Sequence, residues 1–521
     1  LRLKQFALKI ITISVTLIQM LDKYLKMILK APVYDVASVT SLDYLQGLSR
    51  RMGSEILLKR EDTQPVFSYK IRGAYTLMAS LPPEIMDRGV IAASAGNHAQ
   101  GVALSAKTLN TSAIIVMPRT TPEIKVKSVK SLGGEVILHG DNYDEASERA
   151  GEIAKEKKLM IIPPYDDPHV VAGQGTVGME ILQQSKKEID AIFVPVGGGG
   201  LIAGIAVYFK SLSPGTKIIG VEPLEAPSMS IALKKGRPVT LKKVGIFADG
   251  AAVKRVGDLT FKLTEKYVDD MLCVSNDEIC AAIKDIYEDT RSISEPAGAL
   301  ALAGLKQYSV KNDLSCKNYV AICSGANINF DRLRHVAELA ELGENREVLI
   351  GASIPERPGS FRAFCEALGP RLITEFNYRA GESDVASVFA GVQVGDYPDE
   401  KELLLKNLSE RDYKPVDMSN NELAKMHVRF MVGGAGRELS NETVFRIEFP
   451  ERPGALIHFL NRLGTEWNIT LFHYRNHGAA YGRVLIGIQL TETEKQKFIE
   501  LIGDVKYFEE THNSAYKMFL Q

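Results

Sequence analysis

Short apolar runs alternate with longer helical patterns between residues 31 and 343 of the chain. The runs are rich in β-branched residues, are bounded by turn residues, and are apolar throughout rather than at every second position. Strands of this kind are covered on both faces, which is typical of parallel sheets flanked by helices. The pattern therefore predicts an α/β fold with parallel strands at 56–58, 89–93, 112–117, 135–138, 191–196, 217–221 and 318–322.

The pattern changes near Gly343, and the sequence beyond it contains an internal repeat. The segment IPERPGSF at 354–361 returns as FPERPGAL at 449–456, and FNYR at 376–379 returns as FHYR at 472–475. The first offset is 450 − 355 = 95 and the second is 474 − 378 = 96, so the second copy holds one extra residue. Each copy has the order strand, helix, strand, strand, helix, strand, which predicts two ferredoxin-like βαββαβ modules.

These changes predict a leader or N-terminal helix (1–29), an α/β domain (30–346) and two modules (347–430 and 440–521), with a linker at 431–436. The leader has basic residues but no acidic one before Asp22, which suits either an organellar transit peptide or a plain helix. Its apolar stretch, Ile10 to Leu21, is shorter than the ~20 residues of a membrane span. We expect a cytoplasmic protein, or a plastid or other organellar one if the leader is a transit-peptide remnant.

The amino-acid composition limits the classes of binding partner that the protein can have. Lys plus Arg number 63 and Asp plus Glu number 64, so the net charge of −1 gives no electrostatic case for binding nucleic acid or an anionic membrane. The five cysteines form no CxxC pair, which favours a reduced compartment, and no metal site is predicted. The two modules hold no candidate nucleophile, metal cluster or paired acids, which indicates a binding role.

Lys70 is the first candidate for chemistry. It follows the strand 56–58 and precedes a helix predicted at 74–78, so it lies near a helix start, at the positive end of the helix dipole. A partly desolvated lysine there has a lowered pKa and can act as a nucleophile or form a Schiff base. A solvated helix lysine is the ordinary alternative for Lys70 taken alone.

Three further segments follow predicted strands, and ligands bind outside the carboxyl ends of parallel strands. The loop Ser94-Ala95-Gly96-Asn97-His98 turns from a strand into a helix, and its backbone N–H groups are placed to hold a carboxylate. Ser324 follows the strand that ends at Ile322 and can offer a hydroxyl to a ligand nitrogen; taken alone, it is more ordinarily a helix N-cap.

The third segment is the run Gly197, Gly198, Gly199, Gly200 and Leu201 between a strand and a helix. Glycines let backbone N–H groups converge on a phosphate without interference from a Cβ atom. An alternative is a dinucleotide site, because Gly198, Gly200 and Ala203 fit the GxGxxA spacing and Glu222 ends a strand about 20 residues on. A nicotinamide oxidoreductase would use these residues but leaves Lys70 and the asparagine loop unexplained. A pure amino-acid sensor would leave the glycine run unexplained.

A Schiff-base lysine, an anion loop, a phosphate loop and a ring-nitrogen partner together form a pyridoxal phosphate site. The sequence resembles the biosynthetic threonine dehydratases (threonine deaminases), which are fold type II (tryptophan synthase β-like) pyridoxal phosphate enzymes with a doubled ACT-like regulatory region. The resemblance extends from about Lys30 to the C-terminus. It rests on SYKIRGA (68–74), ASAGNHAQG (93–101), VGGGGLIA (196–203), EPAGA (295–299) and SGAN (324–327).

The resemblance implies that Lys70 forms the Schiff base, Asn97 bonds the ring hydroxyl, Gly197 to Leu201 hold the phosphate and Ser324 meets the pyridine nitrogen. It also implies deamination of L-threonine, and of L-serine, to a keto acid and ammonia, in a homotetramer. A serine dehydratase or serine racemase is the alternative within this fold. The family usually has Phe before the lysine, whereas this chain has Tyr69, whose hydroxyl needs a partner.

The resemblance further implies that isoleucine inhibits the enzyme by binding to the doubled region, and that valine opposes this inhibition. Tyr378-Arg379 and Tyr474-Arg475 occupy equivalent strand positions in the two copies. Each pair offers a hydroxyl and a cation to a small zwitterion, beside apolar strands that suit an aliphatic side chain. The ordinary alternative is that these tyrosines only pack the sheet.

Overall fold

The computed structural model describes residues 19–312, 317–343, 347–355, 363–364, 367–369, 371, 373–379, 385–394, 399–428, 441–450, 467, 469–475, 481–503 and 505–520. The chain divides into two compact units, Leu1–Val336 and Ala337–Gln521. Residues 1–18 of the predicted leader and the predicted linker at 431–436 lie outside the described residues. The part of the leader that is described, residues 19–30, is helical and buries Tyr24 and Ile28 in the core of the first unit.

The strands of the first unit are β1 (Leu42–Tyr44), β2 (Glu55–Arg60), β3 (Val90–Ala93), β4 (Ala113–Met117), β5 (Glu135–Leu138), β6 (Met160–Ile161), β7 (Ala191–Pro195), β8 (Lys217–Pro223), β9 (Asp270–Val274) and β10 (Asn318–Cys323). Its helices are α1 (19–30), α2 (Gln46–Met52), α3 (Lys70–Ala79), α4 (Pro83–Met86), α5 (Asn97–Thr108), α6 (Glu123–Ser131), α7 (Tyr143–Lys157), α8 (Pro168–Gln184), α9 (Gly200–Leu212), α10 (Ser228–Lys235), α11 (Asp258–Tyr267), α12 (Asn276–Thr290) and α13 (Pro296–Lys311). The next helix, α14 (Arg332–Gly343), begins in the first unit and ends in the second.

The first unit contains two sheets. The larger has the order β1-β2-β10-β7-β8-β9, and all its neighbours run parallel except β1 and β2. The smaller has the order β5-β4-β3-β6 and is parallel throughout. Every strand predicted from an apolar run in this unit is confirmed. Helices lie between nearly all successive parallel strands, as the α/β pattern predicts.

Local signals explain where the helices begin. Asp167 accepts hydrogen bonds from the first-turn N–H groups of α8, and Pro168 occupies the first helical position, where its missing N–H costs nothing. Ser275 and Glu278 form a reciprocal capping box at the start of α12. By contrast, no side chain caps α5 or α9. The first N–H groups of these two helices have no intrahelical acceptor and are available to a ligand. The first turn of α3 differs, since the N–H of Lys70 donates to Oγ of Ser68 and that of Gly73 donates to Oε1 of Gln174, both at 3.3 Å.

The core of the first unit lies against the larger sheet. β7 is buried at every position, and α9 is buried from Gly200 to Phe209, as its uniformly apolar sequence predicts. α8 packs on α9 at backbone distance, because a Cβ atom on Gly204 would lie 2.4 Å from the carbonyl oxygen of Val171. This close packing joins the helix that carries the glycine loop to the centre of the unit.

The strands of the second unit are β11 (Glu347–Pro355), β12 (Ile373–Arg379), β13 (Val385–Gln393), β14 (Val416–Asp417), β15 (Glu442–Pro450), β16 (Ile469–Arg475), β17 (Tyr481–Gln489) and β18 (Lys506–Glu509). Its helices are α15 (Glu400–Glu410), α16 (Glu422–Met426), α17 (Glu492–Ile502) and α18 (Ser514–Phe519). The eight strands form two four-stranded antiparallel sheets, with the orders β12-β13-β11-β14 and β16-β17-β15-β18. Numbered within each copy, both orders are 2-3-1-4, the ferredoxin-like arrangement.

The two copies share their strand register. Tyr378 pairs with Val388 and Tyr474 pairs with Val484, so both members shift by 96 residues (474 − 378 and 484 − 388). The irregularity between Ile373 and Glu375 in β12 also returns in β16, between Ile469 and Leu471. The first strands shift by 95, from Glu347 to Glu442. The extra residue therefore lies between the first and second strands of the second copy.

Candidate active site

The candidate groups of the larger sheet gather at one edge of it. β2, β10 and β7 are neighbours and run parallel, so their carboxyl ends lie side by side. β10 ends next to Ser324 and β7 next to the glycine loop, while β2 leads to Lys70 through the short helix Glu61–Thr63. Backbone bonds fasten two of these segments together, since Tyr69 donates to the carbonyl oxygen of Ser324 at 3.3 Å and Ala326 donates to that of Phe67 at 2.9 Å.

Lys70 is the first residue of α3, as its position in the sequence predicts. Its Nζ atom donates to the carbonyl oxygen of Pro164 at 3.1 Å and lies 5.4 Å from the ring centroid of Tyr69. Burial lowers the pKa of Lys70 to about 8, although Glu295 acts in the opposite direction. A substantial fraction of the amine is therefore neutral near physiological pH and can act as a nucleophile or base.

The glycine loop is built so that no Cβ atom fits. A Cβ on Gly198 would lie 2.1 Å from the ring of Tyr165, and one on Gly197 would lie 3.0 Å from Ala251. Gly199 has φ +94°, a left-handed conformation that favours glycine. Thr260 fixes the loop by donating from Oγ1 to the carbonyl oxygen of Gly198 at 2.6 Å. The loop therefore presents the open start of α9 to a ligand, as phosphate-binding loops do.

Tyr165 connects the loop to the lysine. It follows Pro164, whose carbonyl oxygen accepts the hydrogen bond from Lys70, and its ring packs on Gly198. Its own hydroxyl is held in place by donation to the carbonyl oxygen of Arg255 at 3.0 Å. Sequence reasoning missed this segment, because a turn after a short strand has neither a motif nor a periodicity.

The asparagine loop comes from the smaller sheet and opens α5. α5 lies directly against the start of α3, since a Cβ on Gly101 would be 3.3 Å from the carbonyl carbon of Lys70. Ser94, Ala95, Gly96 and Asn97 are partly exposed, and the free N–H groups of α5 begin at Asn97. This geometry is compatible with a bound carboxylate.

The side chain of His98, in contrast, faces away from solvent. It is buried, and its Nε2 atom lies 2.8 Å from the carbonyl oxygen of Ile162. Burial, followed by the charge of Lys70, lowers the pKa of His98 to about 4. The imidazole is therefore neutral, and only the backbone N–H of His98 is left to hold an anion.

Ser324 does not cap a helix, so the N-cap interpretation is wrong. The next helix of the described chain, α14, begins eight residues later, at Arg332. The Ser324 side chain is buried, and its hydroxyl donates weakly to the carbonyl oxygen of Ala297 at 3.2 Å. A hydroxyl can rotate, so a ligand nitrogen can replace this long bond.

Glu222 is occupied elsewhere, which argues against the dinucleotide interpretation. Its Oε1 atom accepts from the backbone N–H of Met229 at 2.6 Å, and its Oε2 atom accepts from the N–H and hydroxyl of Ser230. The carboxyl group thus anchors the start of α10 and is fully buried. Burial raises the pKa of Glu222 to about 7, while these hydrogen bonds act to lower it. A ribose-binding acid needs a carboxylate free for the sugar.

Glu295 and Asn327 belong to the site but have no role in the predictions above. Glu295 is buried, and its Oε1 atom accepts from the Asn97 amide at 2.5 Å. The Asn327 amide donates to Oδ1 of Asn97 at 2.7 Å. Burial, and next the charge of Asp249, raises the pKa of Glu295 to about 7. Both residues lie in motifs noted above, but a motif alone does not say which side chains touch.

A buried group of four charges lies behind Lys70, on the strand and helices that carry it. Arg72 of α3 pairs with Glu61 at 2.8 Å and with Glu180 of α8 at 2.7 Å, and Lys59 of β2 pairs with Glu180 at 2.6 Å. All four side chains are at most 1% exposed. Burial acts to raise the pKa of Glu180, but the attraction of Arg72 and Lys59 outweighs it. The network joins α3 to α8 two residues beyond Lys70.

Tyr69 is held by its backbone, but its hydroxyl has no hydrogen-bond partner in the described part of the chain. Burial raises the pKa of Tyr69 well above its usual value, so the hydroxyl stays neutral. Its ring packs against the core of the first unit and lies beside the Lys70 amine.

The residues present fit pyridoxal phosphate. The Cβ-free glycine loop at the start of α9 suits the phosphate, and the Lys70 amine of lowered pKa suits attachment of the aldehyde carbon. Ser324 offers a neutral partner for the ring nitrogen, since no carboxylate of the described residues bonds to its hydroxyl. No cluster of three or more metal-ligating side chains occurs in the described ranges of the chain.

The effector residues predicted for the repeat are only partly described. Tyr378, Arg379, Tyr474 and Arg475 are the last two residues of β12 and of β16, but their side chains lie outside what the structure describes. Among the described helices, none combines the length and apolar character that a membrane crossing requires.

Comparison with known families gives two matches. The model described as "Pyridoxal-phosphate dependent enzyme" matches residues 33–325. The model described as "C-terminal regulatory domain of Threonine dehydratase" matches residues 338–428 and 433–520.

Relatives of known name are similar over almost the whole chain. The biosynthetic L-threonine dehydratase IlvA of Pasteurella multocida is 51% identical over 96% of this chain and 97% of its own length. The chloroplastic biosynthetic threonine dehydratase of Arabidopsis thaliana is 51% identical over 91% of this chain and 80% of its own. Among solved structures, the processed form of threonine deaminase isoform 2 from Solanum lycopersicum is 52% identical, with a TM-score of 0.61, and covers 62% of this chain and 94% of that one.

Proposed function

The chain belongs to the biosynthetic threonine dehydratases, a pyridoxal-phosphate-dependent family, and from this premise we propose how its own residues carry out the reaction. The protein is a threonine ammonia-lyase: it converts L-threonine to 2-oxobutyrate and ammonia, the first step of isoleucine biosynthesis. The observation that carries the residue assignment is the position of Lys70. Its amine is linked to the glycine loop through the Pro164–Tyr165 segment, and the pKa of Lys70 is lowered to about 8.

In this proposal Lys70 holds the cofactor and later moves a proton. When bound, the cofactor supplies an electron sink for the negative charge that develops at Cα of the substrate. Substrate binding frees the Lys70 amine, which is neutral in a useful fraction because burial lowers its pKa. The neutral amine then takes the Cα proton.

The loops orient the substrate and the ring. The free N–H groups at the start of α5, from Asn97 onward, bind the substrate carboxylate, and those at the start of α9 bind the phosphate. Ser324 meets the ring nitrogen without giving it a full positive charge. A ring held in this way would be a weaker electron sink, which would favour loss of the β-hydroxyl, so elimination should prevail over transamination.

An absorption spectrum with a product assay tests this function. The purified protein should absorb in the visible range, the band should respond to L-threonine, and 2-oxobutyrate should form at the same time. A nicotinamide enzyme or a pure amino-acid sensor has no such band. The engagement of Glu222 with α10 also disfavours the nicotinamide enzyme, and the family match disfavours both alternatives.

The alternative within the fold, a serine dehydratase or serine racemase, is not favoured, because the relatives at about 50% identity are threonine dehydratases over nearly their full length. Racemisation also needs an acid on the face of Cα opposite the lysine. In the related racemases that acid is a serine, whose position here is Ala95. Recovered threonine should keep its Cα configuration, and loss of it at a rate near that of keto-acid release would support the racemase instead.

We infer that the second unit binds two effectors: isoleucine, which inhibits the enzyme, and valine, which opposes the inhibition by isoleucine. The shared 2-3-1-4 strand order and shared register support two equivalent effector positions, one beside each Tyr-Arg pair. A ligand changes activity only if it binds two states of the enzyme unequally. The proposal therefore includes a second conformational state.

Two expectations about the whole protein complete the proposal. A homotetramer is expected by resemblance to the family. A cytoplasmic location is expected by analogy with the bacterial relatives, and an organellar one is the alternative, since other relatives are named as mitochondrial or chloroplastic. Fractionation of the source cell with an antibody to the protein distinguishes the two locations.

A further inference from the structure

Asn97, Asn327 and Glu295 form a closed hydrogen-bond relay at the entrance of α5. The Asn327 amide donates to the carbonyl oxygen of Val66 at 2.9 Å and to Oδ1 of Asn97 at 2.7 Å. The Asn97 amide donates to Oε1 of Glu295 at 2.5 Å. The backbone N–H of Asn327 returns to Oε2 of Glu295 at 3.1 Å.

A backbone carbonyl fixes the direction of this relay. The Val66 oxygen can only accept, so the side-chain atom of Asn327 that faces it must be the nitrogen. Both hydrogens of that nitrogen are then used, one on Val66 and one on Asn97. The atom of Asn97 that faces Asn327 is consequently its oxygen, and its nitrogen must face Glu295. Only one orientation of the Asn97 amide satisfies every partner.

Close backbone packing keeps the Glu295–Asn97 bond in place. A Cβ atom on Gly325 would lie 2.7 Å from Oε1 of Glu295 and 3.2 Å from Nδ2 of Asn97. A Cβ on Gly250 would lie 3.2 Å from the same Glu295 oxygen and 3.6 Å from the same Asn97 nitrogen. Two glycines on different segments thus border this hydrogen bond, and a side chain at either position would crowd it.

The relay leaves one hydrogen of Asn97 Nδ2 without a partner among the described residues. We propose that Glu295 and Asn327 are positioning residues, which hold the Asn97 amide so that this remaining N–H is presented to the ring hydroxyl oxygen of the cofactor. This inference rests on the proposed role of Asn97. Neither residue touches the reacting atoms in this account, and both act through Asn97.

Cofactor affinity in single and double variants tests the proposal. Glu295→Gln keeps the size of the side chain, but both of its partners are donors, so its new amide group must face one of them. Pyridoxal phosphate is titrated into apoenzyme of the full chain, and Kd is read from the absorbance of the bound cofactor. We expect Glu295→Gln to weaken binding roughly 10- to 100-fold, the usual range for losing a hydrogen bond to a charged group. In an Asn97→Ala background it should weaken binding by less than roughly twofold, because the two changes remove the same contact.

Glu222→Gln is the matched control. Glu222 is another buried carboxyl whose partners are all donors, but its contacts are at the start of α10. Whatever its effect on Kd, that effect should be the same with and without Asn97. Should Glu295→Gln fail to fold, Asn327→Ala removes the other bond that orients the Asn97 amide and should show the same kind of coupling to Asn97→Ala.

The outcomes separate the two levels of the proposal. Suppose that Asn97→Ala weakens cofactor binding, but Glu295→Gln either leaves Kd unchanged or raises it by the same factor with and without Asn97. Asn97 then binds the cofactor, and the positioning role of Glu295 is wrong. If Asn97→Ala leaves Kd unchanged, the assigned role of Asn97 fails, and the positioning role fails with it. Coupling of Glu295 and Asn327 to Asn97, without coupling of Glu222, supports the proposal.

Discussion

The amine of Lys70 donates a hydrogen bond to the carbonyl oxygen of Pro164, and the next residue, Tyr165, packs its ring against Gly198. One short segment between β6 and α8 therefore links Lys70 to the glycine loop. The proposed attachment point of the cofactor and the proposed phosphate loop thus contact the same two residues, which lie more than 90 positions from Lys70 in the sequence.

Capture of the cofactor by apoenzyme should depend on pH. Only the neutral Lys70 amine can attack an aldehyde, and burial lowers its pKa from 10.5 to about 8. Below this value the amine is protonated and capture is slow, so the rate should rise with pH to a midpoint near about 8. Stopped-flow absorbance over pH 6 to 10 gives the profile. A midpoint close to that of an exposed lysine would show that the amine is not buried in solution.

Gly198→Ala should weaken binding of pyridoxal phosphate. The new Cβ would lie 2.1 Å from the Tyr165 ring, so either the ring or the loop must move. Overpacking of this kind costs ~1–3 kcal/mol, which is roughly a 5- to 150-fold rise in Kd if the loop is what moves. Gly215→Ala is the control, since a Cβ there has no neighbour within 4 Å. Unchanged affinity in Gly198→Ala would mean that the Tyr165 ring moves instead of the loop or that the loop does not hold the phosphate.

Glu180→Ala should destabilise the first unit. The variant removes the carboxylate that pairs with Lys59 and one of the two carboxylates that pair with Arg72. Both cations are fully buried. Loss of one partner from a buried ion pair costs ~3–5 kcal/mol in the free energy of unfolding. The shift of the urea midpoint measures it. Asp22→Ala, which removes an exposed pair with Lys26, should leave the midpoint nearly unchanged, and an equally small effect of Glu180→Ala would exclude a stabilising network.

Effector variants should separate regulation from catalysis. Tyr474→Ala or Arg475→Ala should weaken inhibition by isoleucine while activity without isoleucine stays close to normal. An allosteric coupling of ~1–3 kcal/mol changes affinity roughly 5- to 150-fold, which sets the largest shift expected. The equivalent changes at Tyr378 and Arg379 show which copy binds which effector. If all four variants respond to isoleucine as the parent does, the effector site lies elsewhere.

The sequence was sufficient for the fold because its strands are apolar on both faces. Segments such as 191–196 and 318–322 admit no alternating interpretation, and the structure has β7 and β10 there. The repeat was equally clear, because PERPG and the Tyr-Arg pairs recur at nearly constant offset. Periodicity and repetition are local properties, so a single sequence is enough to find them.

Only those residues of the candidate site that lie in recognisable motifs could be predicted from the sequence. Lys70 and the glycine loop follow strands, where the fold rule places ligand groups. The role of His98 was not foreseeable, since nothing local shows that its ring faces the Ile162 carbonyl rather than the ligand. Glu295 meets Asn97 across 198 positions of sequence, and such a contact depends on how the two sheets face each other. For the same reason Ser324 looked like an N-cap until the course of the chain after β10 was known.

Identification of the lysine that carries the cofactor tests this account most directly. The holoenzyme is reduced with borohydride, which makes the bond between lysine and cofactor permanent, and is then digested and sequenced by mass spectrometry. We expect a phosphopyridoxyl group on Lys70 at near-stoichiometric yield. In the Lys70→Ala variant we expect no modified peptide, although the variant should still bind the cofactor, with lower affinity. A phosphopyridoxyl group on a different lysine, or full 2-oxobutyrate production by Lys70→Ala, would contradict this account.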